Sequence, residues 1–362
     1  MSLRCFDELP GLIEGLLAEH ERVALVYFDA FGWRFAEQHA EHPLLRRATV
    51  ERWRAQFPST TTAHTTTIHT GLPVAEHGLY EWHLYEPRLD RMITPLWFCF
   101  AGDRRRNTLL DAGLTPADVF PFESLYLQLG VPCHVAMPDG IGASPPSRCL
   151  LAGATVHSFG PPAEGLATLA RALGREERVY GTIYLPAADG LMHAVGPDAP
   201  EVAPLIDATL TAIDEAPWPE GTLVLLTADH GMTAISPERT SYVNVVWPEL
   251  PDHLVHGADG KPLAPGGSPR DLFLHVVPER LADVVDELGR RLEGKADVTA
   301  TAGLFPDASD ALLARLANLV VLPVAEEAAY WLEPGRFEQP FRGMHGGLSP
   351  DEMEIPLVSW VA

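Results

Sequence analysis

The chain has 362 residues, 46% of them hydrophobic and 21% charged, and a formal net charge of -23. That acidity excludes a broad duplex-nucleic-acid face, which needs an excess of Lys and Arg. It leaves room for a small anionic substrate wherever metal ions reverse the local field.

No apolar run approaches the eighteen residues of a membrane span, and the N-terminus lacks the pattern of a secretory signal. The four cysteines, Cys5, Cys99, Cys133 and Cys149, form no CxxC pair and are expected to stay reduced. A cytoplasmic protein without a membrane partner is the expectation.

In chain order, Leu9 to His20 predicts a short amphipathic helix, and the Val-, Leu- and aromatic-rich run Arg22 to Phe28 a buried strand ending at Asp29. The threonine run from Phe57 to Gly71 reads alone as β-strand, although its Ser and Thr hydroxyls could also cap a helix. Residues 88–120 look irregular and carry the basic cluster Arg104-Arg105-Arg106. A helix is expected over Glu123 to Leu129, a strand over Cys133 to Ala136, a helix over Leu166 to Leu173 and a strand over Val179 to Leu185. Apolar positions Val202, Leu205, Ile206, Leu210 and Ile213 predict a helix over Glu201 to Glu215, and Thr222 to Thr227 a strand leading to Asp229. The Gly-, Pro- and Asp-rich stretch 252–268 reads as loop. Asp271 to Val276, Glu279 to Leu292 and Asp297 to Ala300 read as a β-α-β unit, followed by a helix (Ala311 to Leu316), a strand (Leu319 to Val324) and the final strand Ile355 to Val361.

This alternation implies a three-layer α/β/α sandwich around a mostly parallel sheet. The expected division is a catalytic core of residues 1–240 plus 333–362, with residues 241–332 as an inserted α+β cap.

Chemistry concentrates where strands end, as it does in open α/β sheets. Asp29, Asp189, His193, Asp229, His230 and His345 are three aspartates and three histidines of the kind that hold two divalent ions. The Asp189-x-x-x-His193 spacing places both side chains on one face of a helical turn. A lone Asp after a strand is ordinarily a cap or turn former; here six such residues combine with a hydroxyl run that offers nucleophiles.

The order of these motifs resembles the alkaline phosphatase superfamily, in its branch of type I phosphodiesterases and nucleotide pyrophosphatases: an Asp, a nucleophile before Thr70-Gly71, Asp189-x-x-x-His193, Asp229-His230-Gly231 and Gly343-x-His345-Gly346. The resemblance implies that Asp29, Asp229 and His230 hold one metal, and that Asp189, His193 and His345 hold the other. Its nucleophile stands nine residues before the Thr of the TG pair, which falls on Thr61, also a ligand in the resting site; Thr60 and Thr62 are its neighbours. Zinc suits mixed Asp/His ligands, with manganese the alternative. Three carboxylates and a threonine alkoxide would balance the four positive charges of two divalent ions.

Two departures bear on substrate. Thr62 replaces the aromatic residue that follows the nucleophile in nucleotide-binding relatives. Trp82 takes the place of their phosphoryl-binding asparagine, offering one indole N–H instead of an amide. Trp82, Trp33 and Tyr85 are candidates to wall an apolar subsite. Ser144-Pro145-Pro146-Ser147-Arg148 looks like a sulfatase signature but reads as a proline-rich loop, since Thr61 fills the nucleophile position. Pro269-Arg270-Asp271 reads as structural, and His64, His69, His77 and His83 as supporting residues. The expectation is therefore a two-metal hydrolase of small phosphate diesters that passes through phosphothreonine. The rivals are a phosphomonoesterase or phosphonate hydrolase with the same site, and a non-catalytic metal-binding protein.

Overall fold

The computed structural model describes residues 3–362. At its centre is a seven-stranded sheet in the order Thr49–Arg54, Glu354–Val361, Leu223–Thr227, Arg22–Phe28, Val179–Leu185, Cys133–Pro138, Thr155–Phe159. The five strands from Leu223–Thr227 to Thr155–Phe159 are mutually parallel. Glu354–Val361 runs antiparallel to both of its neighbours.

Helices cover both faces. Tyr27 and Tyr184 are register partners, so they project from the same face, where Tyr27 meets Phe6 and the helices Leu9–Glu19 and Thr61–Thr70 lie. On the other face, a Cβ on Gly181 would lie 2.9 Å from Leu169 and 2.8 Å from Leu173. This close approach seats helix Pro162–Leu173 against the sheet, with Val202–Asp214 beside it. Strands covered on both faces have no polar side to show, and Val23 to Phe28 are all buried.

Two sheet strands were not anticipated. Thr49–Arg54 buries only Trp53, and Thr155–Phe159 only Phe159; as edge strands they lack the apolar run that marks central ones. The threonine run is a helix, Thr61–Thr70, with Thr60 as its cap residue and Gly71 closing it in the left-handed region at φ 79°. Thr66 and Thr70 hydroxyls donate to the carbonyls of Thr62 and Thr66. Those bonds satisfy the side chains inside the helix, and burial supplies the stability that threonine propensity does not.

Beyond the main sheet, Leu272–Leu274, Leu319–Pro323 and Ala296–Ala300 form a separate antiparallel sheet. The expected β-α-β unit is thus split, with Leu319–Pro323 between its two strands. A second small sheet, Leu84–Glu86, Arg91–Thr94 and Cys99–Phe100, has its last two strands within the stretch 88–120 read as irregular; all three are too short to announce themselves by periodicity. Leu84, Ile93 and Phe98 share an apolar cluster with Phe273, Leu312 and Val320. Among the described residues, no helix is long and apolar enough to cross a membrane.

Candidate active site

Three adjacent parallel strands build the floor. Register pairs Phe28 with Leu185 and Tyr27 with Thr227, so Asp29, the helix after Leu185, and the Asp229-His230 pair emerge from the same edge of the sheet. Asp189 and His193 occupy the first and last turns of that helix, Ala187–Val195, with His193 Nε2 3.2 Å from Asp189 Oδ1. His345 follows the short strand Gly343–Met344, which pairs with Thr233–Ala234 just after the Asp229-His230 turn. Gly231 lets that turn pass, since a Cβ there would lie 2.0 Å from the Asp351 carbonyl.

The six residues converge. His230 Nε2 lies 3.1 Å from Asp229 Oδ2 and 3.5 Å from Asp29 Oδ1. His345 Nε2 lies 3.7 Å from Asp189 Oδ1, and its ring stacks on His230. Two groups have ligand atoms mutually within 4.8 Å: Asp189, His193 and His345, and Asp29, Asp189 and His230. Asp189 belongs to both.

Three features of this cluster fit divalent metal ions. Asp29 Oδ1, Asp189 Oδ1 and Asp229 Oδ2 are buried without a hydrogen-bond partner among the described residues, a costly arrangement unless a cation compensates them. Each histidine turns Nδ1 to a carbonyl: His193 to Gly343 at 2.8 Å, His345 to Ser59 at 2.9 Å and His230 to Gly231 at 2.9 Å. A carbonyl only accepts, so Nδ1 carries the hydrogen and Nε2 is left to face the cluster, as metal-binding histidines require. Finally, burial, with the Asp229 and Asp189 carboxylates beside it, pushes the Asp29 carboxyl well above its usual range. Burial opposes charge on His230, but Asp229 and Asp189 together raise it. The pocket therefore holds more negative charge than its side chains neutralise.

Thr61 opens its helix facing this cluster, with Oγ1 3.1 Å from His230 Nε2. Its neighbours turn elsewhere: Thr60 donates to the Tyr80 carbonyl at 3.1 Å, and the Thr62 hydroxyl is buried without a partner among the described residues. The positive end of the helix dipole adds a preference for anions at Thr61. His64 bridges Gln56 N–H and the Thr60 carbonyl, and burial holds it down at about 4. His77 accepts the Leu79 N–H and meets the Thr67 hydroxyl, and burial lowers it to about 3. Both are neutral supports of the threonine helix.

A cavity of about 580 Å³ opens above Thr61, Asp29 and Asp189. Trp82 lines it; Trp33 and Tyr85 lie outside. Trp33 packs under Arg52 near the sheet edge, and Tyr85 packs on His275 with its hydroxyl donated to Asp90 at 2.9 Å. The Ser-Pro-Pro-Ser segment does reach the cavity, but its hydroxyls are used locally: Ser144 accepts the Ser147 N–H and the Ser147 hydroxyl donates to Ile141. Arg270 is buried against Glu352 and the carbonyls of Val324 and Glu327.

Sequence reasoning missed Tyr184, Trp97 and Arg106 as cavity residues. Tyr184 had a signal: it shares a face with Tyr27 at the functional end of the sheet, and its hydroxyl donates to Asp29 Oδ2. Trp97 had none and Arg106 only its place in the basic cluster Arg104-Arg105-Arg106, because they arrive on the unanticipated small sheet and the loop after it.

The family model described as type I phosphodiesterase / nucleotide pyrophosphatase matches residues 23–347. No curated protein sequence matches. Among solved structures, murine ectonucleotide pyrophosphatase / phosphodiesterase 5 superposes with a TM-score of 0.67 at 16% identity, over 93% of this chain and 87% of that one. An inactive form of the murine protein in complex with AMP gives 0.67 at 16% identity over 94% and 88%. The human counterpart gives 0.65 at 17% identity over 93% and 87%. At such identities these likenesses speak for the fold, and the family rests on the model match: this chain belongs to the type I phosphodiesterase / nucleotide pyrophosphatase family and is a phosphodiesterase-type hydrolase.

Proposed function

We propose that the chain is a two-metal hydrolase of small phosphate diesters that works through a phosphothreonine at Thr61. The observation that carries this reading is the placement of the Thr61 hydroxyl: it opens a helix, stands 3.1 Å from His230 Nε2 and faces the cavity. Asp29, Asp229 and His230 would hold one ion, and Asp189, His193 and His345 the other, with Asp189 close enough to Asp29 and His230 to touch both ions; zinc is the metal best matched to this donor set. When bound, divalent ions lower the pKa of a coordinated hydroxyl and offset charge on phosphoryl oxygens.

The residues of the chain supply the rest. Thr61 Oγ forms a bond to phosphorus as the bond from phosphorus to the departing alcohol oxygen breaks on the opposite side. The helix N-terminus meets the phosphoryl oxygens with unpaired backbone N–H groups. Asp29 is kept in orientation by the Tyr184 hydroxyl. Water then attacks the phosphothreonine and releases a phosphate monoester, returning the free hydroxyl. The four unpaired cysteines suit a reducing, cytoplasmic setting.

The test is initial rates on bis(p-nitrophenyl) phosphate and p-nitrophenyl phosphate with the zinc-loaded protein. The diester should be preferred. A monoester preference of about tenfold, roughly 1.4 kcal/mol in the barrier, would overturn the diesterase reading in favour of a phosphomonoesterase.

A further inference from the structure

The cavity is much larger than a phosphoryl group, and its outer wall has a chemistry of its own. Trp82 and Trp97 meet edge to face, with ring centroids 5.4 Å apart. The Arg106 guanidinium lies over the Trp97 ring, 4.8 Å from its centroid. The Asn107 N–H donates to the Trp97 carbonyl at 2.9 Å, fixing the loop on the indole.

Arg106 differs from its two neighbours. Arg105 is paired with Asp111, and Arg104 donates to the Gly335 carbonyl. Arg106 has no carboxylate within 4 Å among the described residues, although the chain carries a net charge of -23. Stacking on an indole holds a guanidinium flat and leaves its N–H edge available for a planar anion. A cationic edge on an otherwise largely apolar cavity wall attracts a second negative charge on whatever occupies that cavity.

We propose that Arg106, seated on Trp97, is a specificity residue for an acidic group on the substrate alcohol. The substrates would then be phosphate diesters whose alcohol combines an apolar or aromatic body, packed on Trp82 and Trp97, with a carboxylate or second phosphate beyond it. This assignment rests on the phosphodiesterase reading for the position of the phosphoryl group, but it can be tested without turnover.

The test uses zinc-loaded Thr61→Ala protein and two aryl methylphosphonates that differ only in a tethered carboxylate or its neutral methyl amide. Binding is followed by tryptophan fluorescence and calorimetry. The acid should bind about tenfold more tightly than the amide, the range of one charge-assisted contact. Arg106→Gln should reduce the preference to within about twofold, Arg106→Lys should keep part of it, and raising the salt concentration should erode it. Equal binding of the two ligands, binding of neither, or a preference that survives Arg106→Gln overturns the assignment. Hydrolysis of bis(p-nitrophenyl) phosphate by the parent protein is scored separately. Turnover without acid preference leaves the phosphodiesterase reading standing and removes Arg106 from it. Acid preference through Arg106 without turnover does the reverse.

Discussion

Arg270 and Glu352 meet in a fully buried two-point ion pair, Nε to Oε1 at 3.0 Å and Nη2 to Oε2 at 2.9 Å. Glu352 Oε1 also accepts the Gly347 N–H at 3.0 Å, two residues beyond His345. The pair therefore ties the turn Ser268–Asp271 to the loop that delivers the last histidine of the cluster. Removing one partner leaves a buried charge uncompensated, at a cost of about 3–5 kcal/mol. Arg270→Met should lower the denaturant midpoint accordingly and weaken zinc binding. A loss below about 1 kcal/mol would mean the pair is not a strut.

Thr61→Ala should reduce diester turnover by about 10³-fold or more, as expected when a nucleophile is lost. Thr61→Ser should keep measurable activity, and the melting temperature should hardly move because the side chain is only half-buried. Acid-quenched protein incubated with diester should carry phosphate on Thr61. Full activity in Thr61→Ala would exclude the covalent route.

The two ligand groups share Asp189 but not His193. Asp189→Ala should therefore lower the content of both metals, whereas His193→Ala should mainly affect one, as read by elemental analysis after dialysis. Chelation should also lower the melting temperature, because bound ions stabilise the folded state by mass action. Equal losses in the two variants would show that Asp189 serves a single ion.

Glu81 and Asp271 are buried carboxyls within hydrogen-bonding reach of each other, and Glu81 Oε1 and Asp271 Oδ2 have no other partner among the described residues. Two facing carboxylates share a proton instead of both ionising. Burial pushes Glu81 up to about 8, and burial together with Glu81 pushes Asp271 well above its usual range. A folded pKa above the unfolded one contributes stability at low pH that is lost as pH rises. The window runs from the ordinary glutamate value of 4.5 to about 8. The melting temperature of the metal-loaded protein should fall across it, and Glu81→Gln should flatten the slope. Parallel slopes in the two proteins would count against a shared proton.

Much of this was legible in the sequence because buried parallel strands leave continuous apolar runs. Arg22–Phe28, Val179–Leu185 and Leu223–Thr227 could be read directly, and each leads to a residue of the acid–histidine cluster. The threonine helix was harder. Thr61–Thr70 has no amphipathic periodicity and, apart from Ala63, no strong helix former, and it exists because burial and its own carbonyls support its threonines. The cavity wall was the least legible part. Trp82 stood in a matched segment, but Trp97 and Arg106 depend on strands of two to four residues, too short for any period. Trp33 and Tyr85 were plausible by composition alone and were placed elsewhere by packing that pairs them with Arg52 and His275.

The strand Glu354–Val361 lies inside the sheet, between Thr49–Arg54 and Leu223–Thr227, not at its edge. During synthesis, residues 49–54 cannot join the sheet until residues 354–361 have left the ribosome. His345 reaches its place beside Ser59 only when that closure occurs. A nascent chain therefore carries Thr61 and five of the six acid–histidine residues without a finished site. Activity and full metal loading should appear together, and only after residues 354–361 have emerged, so a ribosome-stalled chain ending before residue 354 should be inert.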